Sequence, residues 1–198
     1  IRDSSVTGVQ TCALPILKRL KELHVNEVMA ESWNSLLPAG MMGFRLRCGL
    51  GLQVWNDWSL RGLRELGAVS AMLSPELSLG EIAKIAKCID TELFAYGRLP
   101  LLTGEASLTA DGEESDTLRD RKGRQHPVLS ELGRSTLYSS DKLFLGDRLK
   151  DLRSLGVWCL HLSFTTENAG ECTAAAERYL GMGSYVPNFK TKGLYSVL

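Results

Sequence analysis

Arg64-Glu-Leu-Gly-Ala-Val-Ser, residues 64–70, decides the fold, and Arg153-Ser-Leu-Gly-Val-Trp-Cys at 153–159 repeats its grammar. Each reads as the last turn of a helix, a Leu-Gly stop and an immediate strand. Glycine ends a helix because it enters left-handed backbone without a Cβ penalty. The residues that follow suit a buried pleated surface. Joints this short between helix and strand imply parallel strands linked by right-handed crossovers.

Working outward from these joints, the same alternation recurs. Leu50-Gly-Leu-Gln-Val-Trp reads as a short buried strand, and Asn56 or Asp57 caps a helix carrying Leu60, Leu63 and Leu66 on one face. Val69 to Ser74 is a strand. Ser78-Leu-Gly-Glu81 has the spacing of a capping box, in which serine and glutamate satisfy each other's orphan amides. Leu79, Ile82, Ile85 and Ala86 then supply a buried stripe, and Leu93-Phe-Ala-Tyr is the next strand. Leu145, Leu149 and Leu152 mark a helix ending at Gly156, Val157 to Phe164 is a strand, and a last helix with Cys172, Ala175, Ala176 and Tyr179 on one side ends near Gly181. Towards the N-terminus, Leu17, Leu20, Leu23, Glu27 and Val28 recur at helical spacing and predict an amphipathic helix to about Ser35. Trp55 and Trp58 are assigned to the core. The fold class is α/β, with about four parallel βα units, half of an eight-stranded barrel and too few to close one.

Composition agrees with a folded domain. The chain has 198 residues, 44% of them hydrophobic, and 23 Lys plus Arg balance 23 Asp plus Glu. Zero formal charge argues against a dominant electrostatic partner such as duplex nucleic acid or an anionic membrane. Cys12, Cys48, Cys88, Cys159 and Cys172 form no CxxC pair and no short metal spacing, which suits isolated thiols in a reducing cytoplasm. No apolar run is long enough to span a bilayer, and no secretory signal pattern opens the chain.

Gly97 to Tyr138 breaks the rhythm and reads as a long insertion, 97–138. It holds the acidic run Asp111-Gly-Glu-Glu-Ser-Asp and the charged turn Leu118-Arg-Asp-Arg-Lys-Gly-Arg, with Gly123 at the tip of a hairpin. Loops of this length inside a compact fold tend to be functional. Arg119, Arg121, Lys122 and Arg124 suit either a phosphate or carboxylate ligand or a solvated tip.

Two resemblances follow from quoted residues. Val-Thr-Gly-Val-Gln-Thr-Cys-Ala-Leu-Pro-Ile, residues 6–16, is similar to the in-frame translation of a common short-read sequencing adapter. That likeness implies that 1–16 is not native and that the domain starts near Leu17. Glu92-Leu-Phe-Ala-Tyr-Gly-Arg-Leu-Pro-Leu-Leu, Leu118-Arg-Asp-Arg-Lys-Gly and His126-Pro-Val resemble the collagenase-like peptidase family, peptidase family U thirty-two. Gly51-Leu-Gln-Val-Trp-Asn, Leu73-Ser-Pro-Glu-Leu and Thr191-Lys-Gly-Leu-Tyr are similar to further motifs of that family in the same order.

The resemblance covers roughly 17–198 and implies the C-terminal half of a (β/α) TIM-like barrel. Half a barrel leaves an open strand edge, and the chain is then expected to be poorly soluble and inactive by itself. The family implies hydrolysis of peptides in the bacterial cytoplasm; its other members assist hydroxylation of RNA or of a quinone precursor with an iron-sulfur cluster held by four cysteines. Here Pro100 and Glu105-Ala-Ser stand where the first of those cysteines falls, and 130–140 contains none, so a cluster is not expected.

The candidate catalytic residues are Glu76, as base or cation ligand at a strand end, and Asp120, as the group that orients Arg98. Asn56, Arg98, Arg121 and Lys122 are the candidate substrate-binding residues, and no metal ligand is assigned. Glu76 reads equally well as a carboxylate complementing the next helix dipole. Structural ion pairing accounts equally well for Arg98 and Asp120. His24, His126 and His161 are read as structural, since none has a visible partner.

Overall fold

A computed structural model of the protein describes residues 8–105, 108, 115–131 and 133–187. The expected motif at Thr191, residues 111–114 of the acidic run and part of Glu105-Ala-Ser lie outside the described residues. Contacts divide the chain into two compact units: 8–93 with 151–160, and 94–150 with 161–187.

The first unit is mixed α/β. It contains α1 (Gly8–Glu22), β1 (Glu27–Ala30), α2 (Trp33–Met41), β2 (Arg45–Cys48), a 3-10 turn (Leu50–Leu52), α3 (Asp57–Glu65), β3 (Ala68–Met72), α4 (Leu79–Lys84) and the first residues of β4 (Asp90–Gly97). Strands β1, β2, β3 and β4 pair in that order, each parallel to the next, as Val28↔Leu46, Cys48↔Ala71 and Met72↔Glu92 illustrate. Helix α2 packs on β1 and β2, and α3 on β3. Leu36, Leu46, Leu60, Ala71, Leu73, Ile82 and Leu93 are fully buried in this unit, each large side chain contributing about 1.5–3 kcal/mol.

Local chemistry explains most of the boundaries. Asn56 caps α3 by accepting from the Ser59 amide, and Ser78 with Glu81 forms the reciprocal capping box of α4. Gly67 takes a φ of 88°, which ends α3 and starts β3 one residue later. Gly156, at 65°, does the same between α5 (Leu149–Ser154) and the strand that follows.

Three expectations are corrected. The helix expected over 17–35 is two helices with a strand between them: α1 ends at Glu22, His24 adopts a φ of 58°, and Glu27–Ala30 pairs with β2. Helix α1 also extends back to Gly8, through a stretch with no helical period. Second, the strand expected at Leu50–Trp55 lies earlier, at Arg45–Cys48; of the expected residues, Val54 alone keeps a bridge, to Leu73. Third, Trp55 and Trp58 are exposed at 41% and 75%; on α3 the buried face belongs to Leu60 and Leu63, and Trp58 instead meets the Arg61 guanidinium.

The second unit takes the rest of β4 and adds β5 (Pro100–Gly104), β6 (Ser115–Arg119), β7 (Gln125–Glu131), β8 (Arg134–Tyr138), β9 (Leu143–Phe144), the end of β10 (Cys159–Ser163) and α6 (Ala169–Leu180). Insertion 97–138, expected as a loop with one hairpin, carries a four-stranded antiparallel sheet of order β5-β8-β7-β6. Outside that insertion, Tyr96, Phe144 and Ala175 form a buried cluster of the second unit with Leu162, Tyr179 and Tyr185 against them. The Tyr179 hydroxyl donates to the Ala95 carbonyl at 2.6 Å and accepts from the Leu145 amide at 2.8 Å, joining α6 to the strand layer. Gly97 has a φ of 116°, and a Cβ there would collide with the Ser163 carbonyl oxygen, so glycine is required by both backbone and space.

Candidate functional site

In the first unit polar residues lie beyond the ends of β1 and β3. Glu31 follows β1, and its carboxylate accepts the Gly51 amide at 2.9 Å. A Cβ at Gly49 would collide with that carboxylate, and one at Gly51 with the Glu31 carbonyl oxygen. The two glycines thus make the cradle in which Glu31 sits, a residue that sequence reading missed although the Gly49-Leu-Gly51 spacing points to a close backbone approach.

Beside this cradle, the Ser74 amide donates to the Val54 carbonyl at 2.8 Å, so the segments leading to Asn56 and Glu76 leave neighbouring strands. The Asn56 Oδ1 is engaged by the Ser59 amide at 2.9 Å and hydroxyl at 3.2 Å, which leaves the Nδ2 donors outside the cap. Glu76 is exposed; its own amide reaches the Ser74 hydroxyl at 3.4 Å, and its carboxylate makes no hydrogen bond or ion pair among the described residues.

On the same sheet lies a buried charge network that sequence reading also missed. Glu92 is fully buried. Arg47 grips it through two bonds, Nε to Oε1 at 3.0 Å and a terminal nitrogen to Oε2 at 2.6 Å, and Ser70 Oγ donates to Oε1 at 2.6 Å. Glu27 stands 3.7 Å from the same guanidinium, and the Trp158 ring lies 5.2 Å below it. The bond to Glu92 raises the Arg47 pKa against the opposing effect of burial. Bidentate pairing compensates a charge that would be costly alone. The visible signal is a charged residue inside strand patterns that otherwise alternate with apolar ones, Arg45-Leu-Arg-Cys and Glu92-Leu-Phe.

In the second unit Arg98 does not meet Asp120. Its guanidinium donates to the Ser139 carbonyl at 2.7 Å, to the Ser140 carbonyl and, through Nε, to Thr166 Oγ1 at 3.4 Å. Asp120 instead closes the hairpin between β6 and β7, accepting the Lys122 amide at 2.8 Å, the Arg124 amide at 2.9 Å and Arg124 Nε at 2.6 Å. These donors, the Arg124 amide first, hold its carboxyl well below the ordinary range, which favours the ionised form. His126 Nε2 lies 3.6 Å from the same carboxylate, and Nδ1 lies 3.1 Å from the Tyr138 carbonyl oxygen. Arg121 and Lys122 are exposed at the tip beside Gly123, whose φ is 76°. A cleft of about 270 Å³ runs past Leu99, Leu101, Arg124, His126 and Leu143.

The remaining histidines are structural in this arrangement: His24 turns the chain after α1, and His161 stacks on Phe94 at 6.1 Å. Cys48 on β2, Cys88 between α4 and β4, Cys159 on β10 and Cys172 on α6 are free thiols. Among the described residues no group of three or more His, Cys, Asp or Glu is placed to hold a metal ion. Burial pushes the Cys48 thiol up to about 11. Among the described residues no helix is long and apolar enough to cross a membrane. Compared with models of protein families, with curated proteins and with solved structures, the chain matches none.

Proposed function

We propose that this chain is the C-terminal half of a (β/α) barrel of the collagenase-like peptidase family and that the protein with the complete barrel hydrolyses peptides in the cytoplasm. The parallel order β1-β2-β3-β4, in which each strand pairs with its successor, supports the barrel reading, because a doubly wound sheet reverses its order at a switch point.

The observation that carries the catalytic reading is Glu76, an exposed carboxylate without a partner among the described residues, following β3 beside the segment that bears Asn56. In this reading Glu76 takes a proton from the attacking water, and Asn56 Nδ2 donates to the carbonyl oxygen of the scissile bond. Strand carboxyl ends are where barrel enzymes place such groups. In the second unit Asp120 acts through structure, holding the hairpin at whose tip Arg121 and Lys122 are exposed. The basic residues Arg119, Arg121, Lys122 and Arg124 favour a second reading, a non-proteolytic module that binds RNA in support of a modification reaction.

Cleavage of fluorescence-quenched gelatin peptides by the protein from the complete reading frame tests the first reading. Glu76→Gln is expected to lower kcat by about 100-fold or more with Tm unchanged. Undiminished cleavage by Glu76→Gln, or no cleavage of any peptide by the native protein, refutes it.

A further inference from the structure

Helix α2 packs on β1 and β2 and buries Leu36, Pro38 and Ala39. Another side of the same helix carries Trp33, Leu37 and Met41, spaced four apart and therefore in one row along it. They are 52%, 49% and 91% exposed. Leu66, at the end of α3, is 43% exposed, and a groove of about 340 Å³ between the two helix ends is lined by Leu36, Leu37, Gly40, Met41, Glu65 and Leu66. At these exposures Trp33, Leu37, Met41 and Leu66 leave roughly 500 Å² of mostly apolar surface open, a patch of the size that marks a contact site on a soluble protein.

Three features of this face describe its occupant. Glu65 is the one charged residue of the groove, so a strongly charged partner has little to grip. The row is also self-complementary about its midpoint: Trp33 and Met41 lie equally far to either side of Leu37. A two-fold axis at Leu37 therefore sets Trp33 of each copy against the groove beside the partner's Met41, and rows of residues four apart are the ridges that interlock in the commonest class of helix packing. The polar atoms match as well. Among the described residues neither the Trp33 indole N–H nor the Glu65 carboxylate has a hydrogen-bond or ion-pair partner, and the first can only donate while the second only accepts.

Two such faces together bury about 1,000 Å², the lower bound of a specific interface. We propose that this face binds a second copy of the chain, with α2 antiparallel to the partner's α2 and Trp33 of each copy seated in the groove of the other. The pairing uses neither Glu76 nor Asn56 and stands apart from the peptidase reading.

Sedimentation equilibrium of the native 198-residue chain is expected to show reversible dimerisation, with a Kd on the order of 10 µM for an interface of this size. Met41→Glu sets a carboxylate beside Glu65 and should leave a monomer with an unchanged urea midpoint. Mild oxidation reads the symmetry. Leu37→Cys should form a disulfide between position 37 of the two copies, identified by mass spectrometry. Trp33→Cys and Met41→Cys should each fail to link to themselves at the new position, yet link position 33 to position 41 when the two variants are mixed. A native chain still monomeric at about 500 µM, association unchanged in Met41→Glu, or association in which position 37 does not pair with itself overturns the proposal and leaves the face to a different protein.

Discussion

Replacing Arg47 by methionine probes the charge network directly. Methionine keeps much of the apolar stem beside Trp158 but removes both bonds to Glu92, leaving that fully buried carboxylate with the Ser70 hydroxyl as its remaining donor among the described residues. Two charge-assisted bonds at about 1.5–3 kcal/mol each bracket the 3–5 kcal/mol typical of breaking a buried pair. The Arg47 side chain is 24% exposed, so water reaches part of the site and moves the expectation to the lower end, about 3 kcal/mol. Against a total stability of about 5–15 kcal/mol that loss is large, and it lowers Tm by on the order of 10 °C. Urea denaturation followed by circular dichroism measures it. Adding Glu92→Gln removes the buried charge, so the double variant should be more stable than Arg47→Met alone, by about 1 kcal/mol or more. An Arg47→Met variant within about 1 kcal/mol of native stability, or a double variant no better than the single one, refutes the assignment of this pair as a compensated buried charge.

Three further outcomes follow from the geometry. Gly51→Ala should cost about 2 kcal/mol or more in urea denaturation, because its Cβ meets the Glu31 carbonyl oxygen; Gly62→Ala, on α3 with open space around it, should instead add about 0.5–1 kcal/mol. Tyr179→Phe removes a donor to Ala95 and an acceptor for Leu145 and should cost about 1–3 kcal/mol, read in the same assay. The hairpin should persist in acid: the depressed Asp120 carboxyl contributes above its unfolded value of about 3.9 and loses that contribution only as pH falls through the lower folded value. Backbone NMR should therefore show the Lys122 and Arg124 amide shifts unchanged between about pH 6 and pH 4, and Asp120→Asn should shift both at every pH.

The residues that sequence reading placed well are those whose signal is local. Ser78 and Glu81 stand three apart and need nothing else to form a cap; Asn56 caps because of its own side chain; Gly67, Gly156 and Gly181 stop helices because they alone accept the backbone that ends them. Glu27-Val-Met-Ala failed for the opposite reason. Its residues suit a helix, and pairing with Arg45–Cys48 makes them a strand. The antiparallel sheet was hidden likewise: its strands are short and polar, and partners such as Thr103 and Thr136 lie far apart in the chain. In the first unit, Asn56 and Glu76 were legible as positions that follow strand segments, whereas Glu31 was hidden in an expected helix.

The sequence by itself determined the α/β alternation, the helix stops and caps, and the hairpin turn at Gly123, because each depends on neighbours within about one helical turn. Only the tertiary structure decided that Arg47, Ser70 and Glu92 form one buried network, that Arg98 holds the Ser139 carbonyl while Asp120 shapes its own turn, and that the Trp158 amide donates to the Thr91 carbonyl. Those contacts join residues up to 67 positions apart, as Thr91 and Trp158 show. The free energy that selects them comes from desolvation and partner geometry, which exist only once the strands have come together.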